Sequence, residues 1–235
     1  MLQPIVERVY AVPGLSSGRV YVVEAAQGLA LIDTSLDANT ANKLEPQLQA
    51  KGWSLKDIQH ILITHAHPDH VGGLATFQQR TNAHTIVHHR DAQATRTGSI
   101  VRPDPSQLTG MTALMTRIMP SFPLPAPARA DQELQGGERL DAILPGLQVI
   151  NTPGHSPGHS SFYWPDAKLL FAGDAVMHLP WGLVLPFAAF TVDMQQARQS
   201  VRALAQMDIQ ILLCGHGTPI LREAQARLGM LVAKL

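Results

Sequence analysis

Cysteine is nearly absent: Cys214 is the single one in 235 residues, so no intramolecular disulfide can form. Charge is sparse as well. Asp, Glu, Lys and Arg make up 15% of the chain, and 18 basic side chains balance 18 acidic ones. A balanced charge offers no long-range field for nucleic acid or anionic lipid, so neither is expected as a partner. No apolar run reaches the roughly 20 residues that cross a bilayer. Residues 1–8 lack the apolar stretch of a secretion signal, which reads as a cytoplasmic protein. Hydrophobic residues, at 45%, are enough to bury a core without covalent staples. What the chain does have is histidine, 11 in all, several of them beside aspartate.

The pattern of apolar residues alternates strands with helices. Residues 9–12, 19–25 and 29–33 read as strands separated by glycine-containing turns. A helix is expected over 38–51, a buried strand over 58–64, a helix over 71–80 and a strand over 85–88. The second half repeats this loosely, with strands at 147–152, 161–164, 169–173 and 209–214. Asp193 reads as the cap of a helix running to Gln206, and a closing helix is expected over 221–235. Two strand groups, each with its helices, imply an α/β fold: a four-layer αββα sandwich of two mixed β-sheets with helices on the outer faces. One domain over 1–235 is expected. A proline- and methionine-rich insertion at about 95–130 interrupts it, with an amphipathic helix through Met111, Leu114, Met115 and Met119. That helix reads equally as a cover over an active site or as a helix packed on the core.

His65-Ala66-His67-Pro68-Asp69-His70 follows directly on the apolar run Ile61-Leu62-Ile63-Thr64. Four potential metal ligands therefore sit where a rigid strand hands over to a loop. Alternation points His65 and His67 one way, and Asp69 and His70 open a helix toward a second point nearby. Other apolar strands end in comparable residues: Thr152-Pro153-Gly154-His155, Phe171-Ala172-Gly173-Asp174 and Cys214-Gly215-His216-Gly217. Imidazole and carboxylate suit zinc or iron, and Cys214 reads as a small buried hydrophobe. His159, four residues after His155, reads as a hydrogen-bonding member of the turn that stands behind the ligands.

These motifs, in this order, resemble the metallo-β-lactamase-fold hydrolase superfamily, over nearly the whole chain from Leu31-Ile32-Asp33-Thr34 to Gly215-His216-Gly217. The resemblance implies that His65, His67 and His155 hold one divalent metal and that Asp69, His70 and His216 hold another. It implies that Asp174 bridges the two and that Asp33 supports the ligand loop from behind. Zinc is the metal expected, with iron or manganese as alternatives. The motif order is closest to the lactonase and glyoxalase II-like branches, although Met177 stands where the lactonases place a tyrosine.

The function implied is a dinuclear metal-dependent hydrolase of a small ester, lactone or thioester, working through a hydroxide held between the metals. Asp69 and Asp174 are its catalytic carboxylates. The alternatives are a mononuclear iron oxidoreductase of the sulfur dioxygenase type and a β-lactamase-like amide hydrolase, since a fold does not select a chemistry. The nearly uncharged run from 177 to 190 carries four candidate substrate contacts, Met177, His178, Trp181 and Phe187. Such a run lines an apolar pocket or forms a homodimer interface.

Overall fold

The computed structural model describes residues 1–104, 106, 108, 110, 113 and 123–235. One sheet holds seven strands in chain order: β1 (Gln3–Val6), β2 (Val9–Ala11), β3 (Tyr21–Glu24), β4 (Leu29–Ile32), β5 (Ile58–Leu62), β6 (His84–His88) and β7 (Gln132–Leu134). Its first four strands pair antiparallel, β1 to β2 and β3 to β4 through short turns and β2 to β3 through a loop over 12–20. From β4 to β7 the pairing is parallel. Parallel neighbours need crossovers, and helices supply them: α1 (Thr40–Gln49), the pair α2 (Pro68–Val71) and α3 (Leu74–Thr81), and α4 (His89–Thr97).

The second sheet contains β8 (Gln148–Asn151), β9 (Ser160–Trp164), β10 (Leu169–Gly173) and β13 (Ile211–Cys214), ordered β13-β10-β9-β8. A separate hairpin is formed by β11 (Met177–Leu179) and β12 (Gly182–Val184). The helices α5 (Met194–Leu204) and α6 (Ala224–Val232) lie against this second sheet. No described helix is long and apolar enough to cross a membrane.

Three apolar cores separate four layers, and strand periodicity assigns residues to each. In β4, Leu29 and Leu31 face Leu44, Leu48, Leu74 and Phe77 of the helices α1 and α3. Ala30 and Ile32, one step out of phase, face Phe162, Leu169 and Phe171 of the second sheet. In β10 the other phase, Leu170 and Ala172, packs on Val201, Leu204 and Leu228 of α5 and α6. The expected αββα sandwich is therefore the observed one.

The differences from the sequence reading have local causes. The helix expected over 71–80 is broken between α2 and α3 at Gly72-Gly73. A Cβ on Gly72 would lie 2.2 Å from the Leu36 carbonyl, so the chain turns where only hydrogen fits. Strands β1, β7, β11 and β12 span three or four residues each, too short to show a period. Helix α4 occupies the start of the expected insertion. The helix expected through Met111–Met119 falls almost wholly outside the described residues. Asp193 caps α5, accepting from the Gln196 amide at 2.9 Å.

Phe171 is 1% exposed and lies between the sheets. Phe171→Ala should cost about 3–5 kcal/mol in urea unfolding of the metal-free protein. A loss under ~1 kcal/mol would show that the sheets are not close-packed there.

Candidate metal centre

Five strands bring their carboxyl ends to one edge of the sandwich. Asp33 follows β4, residues 65–70 follow β5, His155 lies in the turn after β8, Asp174 follows β10 and His216 follows β13. The parallel pairing of β4 with β5, and of β10 with β13, is what aligns these ends. Ligand atoms of His65, His67 and His155 lie within 4.8 Å of one another, as do those of His65, His70 and Asp174, and those of Asp69, His70 and His216. All seven expected donors are brought together, in groups that share members.

Hydrogen bonds around the rim fix which nitrogen each imidazole presents to the centre. His67 Nε2 donates to the Val101 carbonyl at 3.0 Å, which leaves a lone pair on Nδ1. Thr191 Oγ1 donates to the Phe187 carbonyl and so accepts from His155 Nδ1 at 3.1 Å, which leaves a lone pair on His155 Nε2. These two lone pairs meet head-on at 2.9 Å. Thr64 Oγ1 donates to Asp33 and accepts from His65 Nδ1 at 3.1 Å, turning His65 Nε2 inward. His70 Nδ1 donates to Asp33 Oδ2 at 2.7 Å, turning its Nε2 inward too. Among the described residues His65 Nε2, His70 Nε2 and Asp174 Oδ1 are buried with no hydrogen-bond partner. Buried, opposed lone pairs and unpartnered polar atoms are costly unless a cation replaces the protons and shares the donors, so this donor set fits divalent metal.

The electrostatics divide the cluster in two. Burial, reinforced by the neighbouring imidazoles, holds His65 and His155 well below the usual histidine range, and burial lowers His67 likewise. His70 behaves in the opposite way. Burial opposes its charge, but Asp33 and Asp174 outweigh that and raise it well above the usual value. His216, 3.1 Å from Asp69 and 3.3 Å from Asp174, is likewise penalised by burial yet raised to about 9 by those carboxylates. Asp174 and Asp69 are held low: their burial cost is exceeded by the adjoining His216 and His70.

Behind these donors stand residues that hold them. Asp33 takes the Thr64 amide at 2.8 Å and the Thr64 hydroxyl at 2.7 Å, and it sits under His70. His159 accepts the Asp174 amide on Nε2 at 2.9 Å and donates from Nδ1 to Thr152 Oγ1 at 2.8 Å. Burial pushes its pKa down to about 3, so it stays neutral. Asp91 escaped the sequence reading. It is wholly buried at the start of α4 and ties two loops together, accepting from the Ala66 amide at 3.0 Å, Ser156 Oγ at 2.6 Å and the Gly158 amide at 2.7 Å.

Also missed was a cleft of about 280 Å³ between loop 12–19 and residues 215–217, opening beside His216. The uncharged run 177–190 is divided by the structure. Met177 is buried, and Leu183 and Leu185 pack on the outer core. His178 Nδ1 donates to the Thr218 carbonyl at 2.7 Å. Trp181, at the hairpin tip, is 73% exposed, and Phe187 is 49% exposed.

Two outcomes test this geometry. A Cβ on Gly215 would lie 2.2 Å from Asp174 Oδ1 and 2.7 Å from His70 Cε1. Gly215→Ala should therefore fold yet bind zinc at least about tenfold more weakly in a competitive chelator titration. Unchanged affinity would mean that Asp174 need not sit where it does. Secondly, metal entering the Asp69, His70 and His216 group must displace protons, whereas the His65, His67 and His155 group is already neutral near pH 7. The His216 proton competes with metal below about pH 9 and is gone above it, so affinity in that half should rise with pH. Calorimetry in buffers of different ionisation enthalpy counts those protons, and equal release from both halves would contradict the division.

Residues 13–216 match the family described as the metallo-beta-lactamase superfamily. The chain is 32% identical to the uncharacterized protein YobT of Bacillus subtilis, over 94% of this chain and 92% of that one. It is 30% identical to a hydroxyacylglutathione hydrolase of Bartonella tribocorum, over 77% of this chain but only 56% of the relative. Among solved structures, a metallo-beta-lactamase family protein from Thermus thermophilus superposes with a TM-score of 0.76 at 25% identity, covering 98% of this chain and 80% of that one. The family match takes in every one of the converging donors, and the chain belongs to the metallo-beta-lactamase superfamily.

Proposed function

We propose that this chain is a dinuclear metal-dependent hydrolase of a small ester, lactone or thioester, with zinc as its metal. The observation that carries the reading is the sharing of donors between groups. His65, His67 and His155 would hold one ion and Asp69, His70 and His216 the other. Asp174 lies 3.5 Å from both His155 Nε2 and His70 Nε2, within reach of both halves. A mononuclear oxidoreductase would leave Asp69 and His216 without a use. The relatives named hydroxyacylglutathione hydrolase favour acyl-bond hydrolysis over redox chemistry.

When bound, a pair of divalent ions supplies a Lewis acid for a carbonyl oxygen and a water that ionises near neutral pH. The protein's own groups do the rest. Asp69 is the accessible carboxylate, 20% exposed at its side chain and steadied by the Ser17 hydroxyl at 3.1 Å. Its low pKa keeps it ionised, so it would accept a hydrogen bond from the attacking group and orient it. Thr191 links the Phe187 carbonyl to His155, so residues 187–191 border the centre and give Phe187 a place on its rim.

The test is metal analysis with a hydrolysis panel on one preparation: lactones, thioesters, aryl esters, phosphoesters and a β-lactam. Two zinc ions per chain and chelator-sensitive turnover of an acyl substrate are expected. Asp174→Ala should lose metal and reduce turnover by about 10–100-fold or more. One iron per chain with no acyl hydrolysis would replace this reading with the redox one, and β-lactam turnover alone would shift it to amide hydrolysis.

A further inference from the structure

The cleft beside His216 has a chemistry of its own. Loop 12–19 forms one wall and is seated firmly against the metal-ligand loop. Gly18, at φ +67, is pressed so close that a Cβ would lie 1.7 Å from the Asp69 carbonyl oxygen. Ser17 donates to the Asp69 carboxylate at 3.1 Å, and its own carbonyl accepts from the Leu36 amide at 3.3 Å. The cleft is therefore a fixed extension of the centre, opening on the side where Asp69 and His216 are partly exposed.

Its lining contains no Asp or Glu and one permanent cation, Arg19. Arg19 is half-buried and doubly anchored. Its amide donates to the Gly215 carbonyl at 2.8 Å, and its Nε donates to the Gly217 carbonyl at 2.5 Å. Those two bonds leave the guanidinium with both terminal nitrogens unspent. Among the described residues no carboxylate pairs with Arg19 and neither terminal nitrogen has an acceptor. The main-chain N–H groups of Leu15, Ser16, Ser17 and Gly18 likewise have no protein acceptor among the described residues. A held guanidinium fork beside free amides, with no Asp or Glu among the residues lining the cleft, is the complement of a planar carboxylate.

We propose that Arg19 is a specificity-determining residue, and that the substrate carries a carboxylate which docks in the cleft of loop 12–19 while its ester, thioester or lactone group lies at the metal centre. The proposal rests on the hydrolase reading for its second half only. The carboxylate subsite stands on the cleft itself. A charge-assisted pair in a partly dry cleft raises the preference for a carboxylate-bearing ligand by about tenfold or more over a neutral one of the same shape.

Two matched comparisons on the zinc-loaded protein test it. In the first, calorimetry measures binding of succinate, glutarate and adipate against butyrate, so that the probes differ by the second carboxylate and its reach. Wild type should bind at least one dicarboxylate about tenfold more tightly than butyrate. Arg19→Gln should abolish that preference, and Arg19→Lys, which keeps charge without the fork, should retain part of it. In the second, kcat/KM is compared for mono-4-nitrophenyl glutarate and its methyl ester, and the same ratio should collapse in Arg19→Gln. Because Arg19 Nε also holds the Gly217 carbonyl, its loss could loosen His216. That structural effect lowers both members of each pair equally and leaves the ratios unmoved. A wild type without preference, or a variant that weakens every probe alike, would overturn the proposal. Retained dicarboxylate preference with no ester turnover would instead reject the hydrolase reading and leave the subsite standing.

Discussion

His67 Nδ1 and His155 Nε2 aim lone pairs at each other across 2.9 Å in a place closed to water. Among the described residues no hydrogen bond relieves that opposition, and the bonds around the rings maintain it. Val101, Thr191 and Thr64 each occupy the outer nitrogen of one imidazole, His67, His155 and His65 in turn, which denies those rings a tautomer that would turn a proton inward. The rings are thereby poised for a cation before one arrives. Local stability is lower than a packed apolar centre would give, and the three apolar cores around it must supply the difference.

Rigidity for this purpose comes from both sheets. Glycines stand where a side chain would invade the cluster, as at Gly215, and Asp91 fastens the ligand loop after β5 to the turn carrying His155. The Ser160 amide donates to the Thr64 carbonyl at 2.9 Å, and the Gly215 amide donates to the Gly173 carbonyl at 2.7 Å, so loops from separate strands are joined directly. The centre also has an electrical gradient. Its His65, His67 and His155 side is neutral and buried, while its Asp69 and His216 side holds ionised groups toward the cleft. Arg19 continues that polar face into the cleft, and the exposed Trp181 at the hairpin tip is not among the residues that line it.

The cluster of candidate donors was legible because each member falls in a short local motif. His65, His67, Asp69 and His70 fall within six consecutive residues, and the rest end apolar strands with a nearby glycine. The four layers were legible too, since β4 and β10 alternate their side chains between two cores. Asp91 was not, because it meets Ala66 and Ser156 from 25 and 65 residues away, through contacts that exist only after β5 and β6 pair. Arg19 was hidden for the same reason, as its partner Gly217 is 198 residues distant. Strand β7 and the hairpin β11–β12 are too short for periodicity to register. In the run 177–190, composition alone could not tell Leu183, which packs on the core, from Trp181, which does not.

The central claim is that two ions share this donor set through Asp174. Anomalous diffraction at the zinc edge, from crystals grown with zinc, tests it most directly. The account predicts two peaks about 3.5–4 Å apart. One should be ligated by His65, His67 and His155 and the other by Asp69, His70 and His216, with an Asp174 oxygen at each. A single peak on the three histidines, with Asp174 turned away and His216 still paired to Asp69, would contradict it.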